Sequence, residues 1–107
     1  MLTAKGEHAG FRWEAWEHVR RSGESRLCGY VFVPPGHPWH GRPCEEILKT
    51  GAPGGVTYAQ SELAGGGWKV GFDREPVDHD VFTAECRALC ERAYSEGLAD
   101  RPDQIRA

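Results

Sequence analysis

Apolar and polar residues alternate along the first part of the chain in a pattern that predicts β-strands. Between residues 11 and 19 the charged side chains fall on one face, and the other face carries Phe11, Trp13, Ala15 and Val19. The segment Leu27–Val33 is apolar on both faces, as expected of a more central strand. A short turn rich in Ser and Gly separates the two segments, so we expect them to form a hairpin.

Two further strands are predicted in the second half, at Val56–Ser61 and Trp68–Phe72, with a glycine-rich turn at residues 64–67 between them. Two prolines end the Leu27–Val33 strand, because proline cannot donate a ladder hydrogen bond. After the loop that follows, Pro43–Lys49 is predicted to form a short helix, with Pro43 in its first turn and Gly51 just past its end.

Near residue 81 the spacing of apolar residues changes from every second position to every third or fourth position. This change predicts a helix over Val81–Glu96. One stripe of that helix is apolar and consists of Phe82, Cys86, Leu89, Cys90 and Ala93. Asp80 is expected to cap the helix and Gly97 to stop it. Residues 1–9 and residues 98–107 are the parts that we expect to fray, the latter forming at most a marginal extra turn.

These elements predict an α+β fold: about four strands in a mainly antiparallel sheet, with one long C-terminal helix packed on one face. At 107 residues the chain is expected to form a single domain over residues 1–107 with one modest core. The side chains that we expect between sheet and helix are Trp13, Val31, Val70, Phe72, Phe82 and Leu89.

Charge and composition narrow the classes of partner. The net charge is −3, and residues 54–107 carry six Lys or Arg against ten Asp or Glu, so direct nucleic-acid binding is not expected. No apolar run is long enough for a membrane span, and the first residues do not resemble a secretory signal. We therefore expect a cytoplasmic protein with reduced cysteines and no membrane partner.

Three groups of residues could carry chemistry. His37, His40 and Cys44 are possible zinc ligands but lack a fourth partner. Cys86 and Cys90 lie on the apolar helix stripe, where cysteine behaves as a small hydrophobic residue. His79 stands between two aspartates and could act as a general base, although no nucleophile motif accompanies it. We therefore predict no catalytic residues, no cofactor and no stoichiometric metal.

The segment Gly29–Asp73 contains the blocks GYVFVPPGHPWHG, PGGVTYA and WKVGFD, followed by DHD. In this order the blocks resemble a group of small uncharacterised bacteriophage and prophage proteins with GYV-x-VP…HP…G, HGG-x-TY and W-x-x-GFD blocks. The resemblance covers about half of the chain and implies a phage or prophage accessory protein. Where the group has His before Gly-Gly, this chain has Pro53, which favours binding over catalysis.

The resulting hypothesis is protein–protein binding, most specifically inhibition of a bacterial defence complex in the manner of an anti-CRISPR protein. The expected partner is a host protein or defence complex, and no pattern favours a particular oligomeric state. The candidate partner-binding residues are Trp39, His40, Asp73, Glu75, Asp78 and Asp80. Trp39 is equally compatible with a lid over the core. The alternatives are a small metal- or ligand-dependent enzyme using His37, His40 and His79, and a non-inhibitory phage structural or assembly module.

Overall fold

Five antiparallel strands form one sheet in the order β1-β2-β3-β5-β4. The computed structural model describes residues 1–47, 56–62 and 66–99, with only the backbone described at residues 98 and 99. The strands are β1 (Leu2–His8), β2 (Phe11–Val19), β3 (Ser25–Val33), β4 (Tyr58–Ser61) and β5 (Trp68–Arg74). The helices are α1 (Cys44–Ile47) and α2 (His79–Ala99). The prediction of an α+β fold with a long C-terminal helix on an antiparallel sheet is confirmed.

The first strand, β1, was not predicted: residues 1–9 were expected to fray, whereas Leu2–His8 forms this strand. The sequence LTAKGEH contains few apolar residues, so its period gives little sign of a strand. The strand is stabilised by pairing with β2, with Lys5 opposite Glu14 and Gly6 opposite Trp13. The Thr3 hydroxyl also donates to the Ala15 carbonyl at 3.1 Å. Backbone pairing therefore supplies what the side-chain pattern lacks.

Helix α2 begins two residues earlier and ends later than predicted. Asp78 stands just before its first turn, where the Phe82 amide donates to the Asp78 carbonyl at 3.0 Å. Gly97 does not stop the helix, which continues to Ala99. The predicted short helix is present as α1, with the Glu46 amide donating to the Pro43 carbonyl at 3.0 Å. Its predicted end at Lys49, and Gly51 just past that end, lie outside the described residues.

The core lies between α2 and one face of the sheet, where all six predicted core side chains are buried. Alternate residues of β3 point toward the helix, and position 29 among them is a glycine. A Cβ atom there would lie 2.7 Å from the Phe72 ring and 2.9 Å from the Cys86 sulfur. The absence of a side chain at Gly29 is therefore what lets the Phe72 ring and α2 lie close to β3.

We expect Gly29→Ala to lower the free energy of unfolding by about 1–3 kcal/mol, because an extra methyl group in this packed core must displace Phe72 or Cys86. The matched control is Gly97→Ala in α2, where a Cβ would make only ordinary contacts of 3.6 Å with the His37 ring. That change should raise stability by about half a kcal/mol, because alanine favours helix more than glycine does. Urea denaturation of both variants measures the difference. Equal effects of the two substitutions would contradict the packing at Gly29.

Candidate binding surface on the open face of the sheet

The sheet has a second face, opposite α2, whose side chains remain partly or fully exposed. We call it the open face. Cross-strand register brings together Glu14 with Tyr30, Arg12 with Phe32, and Phe32 with Lys69. Its side chains include Lys5, Glu7, Arg12, Glu14, Trp16, His18, Arg26, Cys28, Tyr30, Phe32, Tyr58, Gln60, Lys69 and Asp73.

Two tyrosines from different strands meet across β5 on this face. Tyr30 on β3 and Tyr58 on β4 are both opposite Gly71 on β5, and their ring centroids lie 5.4 Å apart in an edge-to-face arrangement. A Cβ at position 71 would lie 2.7 Å from the Gly29 carbonyl oxygen and would overlap the Tyr30 ring. Glycine at position 71 therefore allows the Tyr30 ring to lie across β5.

Cationic side chains cover the aromatic rings of the open face. The Lys69 ammonium lies 4.1 Å from the centroid of the Tyr30 ring and 5.5 Å from that of Tyr58. The Arg12 guanidinium carbon lies 4.0 Å from the centroid of the Phe32 ring. These cation–π contacts hold each cation close to the sheet while one side remains in solvent.

Carboxylates pair with the two arginines of the open face. Arg12 pairs with Glu62, and Arg26 donates to Asp73 Oδ2 at 3.0 Å. The Thr57 hydroxyl donates to Asp73 Oδ1 at 3.3 Å. The open face therefore presents mixed charges around its aromatic side chains rather than a basic surface.

A cleft of about 290 Å³ opens on this face beside the tyrosine pair. Burial, and next the neighbouring Cys28, raise the pKa of the Tyr30 phenol above its usual range, so this group stays protonated at neutral pH. The cleft is lined by Cys28, Tyr30, Thr57, Tyr58, Phe72 and Asp73.

Trp39, the predicted aromatic anchor, is 4% exposed and belongs to the core. Its ring lies edge-on to the His37 ring, with 5.2 Å between centroids. The His37 Nε2–H donates to the Ala93 carbonyl at 2.7 Å, and its Nδ1 accepts from the Trp39 amide at 3.0 Å. Of the two interpretations of Trp39, the lid over the core is therefore the one that the structure supports.

The remaining predicted residues do not gather at one place. His40 lies beside the Trp68 ring and hydrogen-bonds the Gly66 carbonyl through Nε2 at 2.9 Å. Asp73 alone belongs to the open face, whereas the acidic residues after β5 are exposed in the connection to α2 and in its first turn. These residues are Glu75, Asp78 and Asp80.

The candidate ligands and bases have separate surroundings. His37 packs against α2, His40 against Trp68, and His79 is exposed at the start of α2. Among the described residues, no group of three or more His, Cys, Asp or Glu side chains could hold a metal ion, the set of His37, His40 and Cys44 included. Pro53, where the resembling proteins have His, lies outside the described residues.

The sequence pattern did not reveal Tyr30, Tyr58 and Lys69 as candidates. Because β3 is apolar on both faces, the pattern indicated burial on both sides. The usable signal was that Tyr30 and Phe32 occupy positions alternate to the core residues, and that Lys69 occupies the same face of β5.

Two of the cysteines are buried in the core, as predicted from the helix stripe. Burial, with the neighbouring Cys90, raises the pKa of the Cys86 thiol to about 12, and burial raises that of Cys90 to about 12 as well. Since the thiolate is the reactive form, both thiols stay protonated and unreactive at pH 8.

We expect Ellman's reagent at pH 8 to modify Cys86 and Cys90 in the native protein at least about a hundredfold more slowly than in urea-unfolded protein. Cys28 and Cys44, which are partly exposed, should react first. Peptide mapping of the modified protein identifies the sites. Rapid modification of Cys90 in the folded state would show that α2 does not cover it.

No protein-family model, curated protein or solved structure matches the chain. In the part of the chain that the structure describes, none of the helices combines the length and apolar character that a membrane crossing requires.

Proposed function

We propose that the protein acts by binding another protein through the open face of its sheet. The observation that carries this proposal is the group of partly exposed aromatic side chains on that face, Trp16, Tyr30, Phe32 and Tyr58. Trp and Tyr, together with Arg, are the residues most enriched at the energetic centres of protein interfaces. Here they are held in fixed positions by strand pairing and by ring and ion-pair contacts, which lowers the entropy lost on binding.

The charge of the open face favours a protein partner over a nucleic acid. Stacked bases would suit the aromatic rings, but a nucleic acid also requires free cations along its phosphates. Arg12 and Arg26 are paired with carboxylates, and Glu7 and Glu14 stand on the same face. Mixed charges around aromatic side chains are typical of the rim of a protein interface.

The more specific part of the proposal rests on the resemblance of Gly29–Asp73 to small phage and prophage proteins. The partner in this proposal is a host protein or defence complex of the bacterial cytoplasm. The open face would cover part of the partner's surface and so block the partner's function. Steric occupation requires no catalytic group. The mixed charge of the face would select the partner by complementarity.

The experiment compares tagged wild-type protein with the variants Tyr58→Ala and Tyr94→Ala. Both changes remove a tyrosine, but Tyr58 lies on the open face and Tyr94 is 50% exposed on α2. A partner captured from bacterial lysate is identified by mass spectrometry, purified and titrated against each protein by calorimetry. We expect Tyr58→Ala to weaken binding about tenfold or more, because an interface tyrosine contributes at least ~1–2 kcal/mol. Tyr94→Ala should bind like the wild type.

Wild-type affinity for Tyr58→Ala, with the fold intact by circular dichroism, would exclude the open face as the interface. Loss of binding only in Tyr94→Ala would move the interface to α2. Addition of the protein to the purified partner then tests inhibition: an unchanged activity of the partner at saturating protein would contradict the blocking role.

A further inference from the structure

The cleft beside Tyr30 and Tyr58 has a composition that selects one class of ligand group. Among its lining residues, Asp73 is the only carboxylate, and none is Lys, Arg or His. The others contribute two phenol rings, a hydroxyl and a thiol, while the Phe72 ring packs in the core against Phe82. A carboxylate beside aromatic ring faces is the combination that proteins use to bind organic cations.

Asp73 has hydrogen-bonding capacity left for a ligand. Its two oxygens accept one bond each, from Arg26 and from Thr57, while an ionised carboxylate can accept about four. Its side chain is 35% exposed, so a group in the cleft can reach it. A new charge-assisted bond to Asp73 is therefore possible without breaking the existing ones.

The tyrosine rings already bind a cation in this structure. The Lys69 ammonium lies 4.1 Å from the Tyr30 centroid and 5.5 Å from the Tyr58 centroid, at a site that is not part of the cleft lining. The same pair of rings borders the cleft. Lys69 thus shows that these rings are accessible to a cation–π contact.

We propose that the cleft binds a cationic side chain, Arg or Lys, of the protein partner, with Asp73 as the counter-charge and Tyr30 and Tyr58 as the ring contacts. The proposal rests on the proposed function and specifies what the open face recognises. A volume of about 290 Å³ fits one long side chain rather than a drug-sized molecule. An acidic side chain bound to Lys69 is the opposite arrangement, and it is an outcome of the test.

The test uses small probes and does not require the partner. ¹⁵N-labelled protein is titrated with N-acetyl-arginine amide, with N-acetyl-citrulline amide, its neutral near-isostere, and with N-acetyl-glutamate amide. We expect the arginine probe to shift the amide signals of Thr57, Tyr58 and Asp73 with saturation in the millimolar range. The citrulline probe should bind about tenfold more weakly, because it lacks the charge that Asp73 recognises. The glutamate probe should leave these signals unchanged.

Three variants assign the effect. Asp73→Asn should weaken arginine-probe binding about tenfold, and Tyr58→Leu about fivefold through loss of one ring face. Glu45→Gln removes one negative charge from the exposed surface of α1 and should change nothing. If Asp73→Asn unfolds, the citrulline comparison on the wild type and the Tyr58→Leu titration still test the proposal.

Any of four results would overturn it: no saturable shift with the arginine probe, equal binding of citrulline, shifts with the glutamate probe instead, or unchanged binding by folded Asp73→Asn. Failure here is distinct from failure of the proposed function. If partner affinity depends on Tyr58 but the arginine probe does not bind the cleft, the proposal of protein binding through the open face stands. Only the contact with a cationic side chain is then removed.

Discussion

Replacing Trp39 with alanine is expected to lower the free energy of unfolding by about 3–5 kcal/mol. The indole is almost fully buried and packs against the His37 ring, which in turn bonds to α2 through the Ala93 carbonyl. Removing it leaves a cavity between the loop after β3 and the C-terminal half of α2. Urea or thermal denaturation followed by circular dichroism measures the loss.

The matched control is Trp16→Ala on the open face, where the indole is only partly buried and its Nε1–H donates to Glu14 at 2.9 Å. That change should cost less than half as much. A loss below about 1 kcal/mol for Trp39→Ala would contradict its place in the core. Because the expected loss of stability is large, weaker partner binding by Trp39→Ala is informative only after the variant is shown to be folded.

Leu89→Ala should lower the free energy of unfolding by about 2–5 kcal/mol, the usual cost of a buried leucine. Leu89 is among the largest fully buried side chains and lies on the stripe of α2 that faces the sheet. Denaturation in urea gives the difference, and the slope with urea should not change.

Val81→Ala is the comparison for Leu89, because Val81 is on the same helix but 47% exposed. Its effect should be within about half a kcal/mol of the wild type, since alanine favours helix and little burial is lost. A loss under about half a kcal/mol for Leu89→Ala as well would show that α2 does not pack on the sheet as described.

The core could be predicted because its signal is local. Alternation along β2 and β5 and the three-to-four spacing along α2 each mark the residues that face inward, and Trp13, Val70 and Leu89 are all buried. The strand β1 could not be predicted, because pairing with β2 stabilises it and its own sequence has no clear apolar pattern. Its position at the sheet edge removes the need for many buried side chains.

The candidate site was predicted poorly, for a different physical reason. Trp39 and His37 stand in a Pro- and Gly-rich loop, where sequence cannot separate an exposed aromatic anchor from a core lid. The hydrogen bond that the His37 Nε2–H donates to the distant Ala93 carbonyl decides between them. Tyr30 and Tyr58 become neighbours only because β5 lies between their strands, and strand order is not encoded in any local pattern.

The place of β5 in the sheet also has a consequence for the order of folding. Strands β1, β2 and β3 follow one another along the chain, so their pairing closes short loops, whereas β3 meets β5 only after residues 34–67 have been brought round. Until that happens β3 is itself an edge, and its run Leu27–Val33 presents unpaired backbone groups beside apolar side chains. Such an edge pairs readily with other chains, so the interval before β5 docks is when newly made protein is most prone to aggregate.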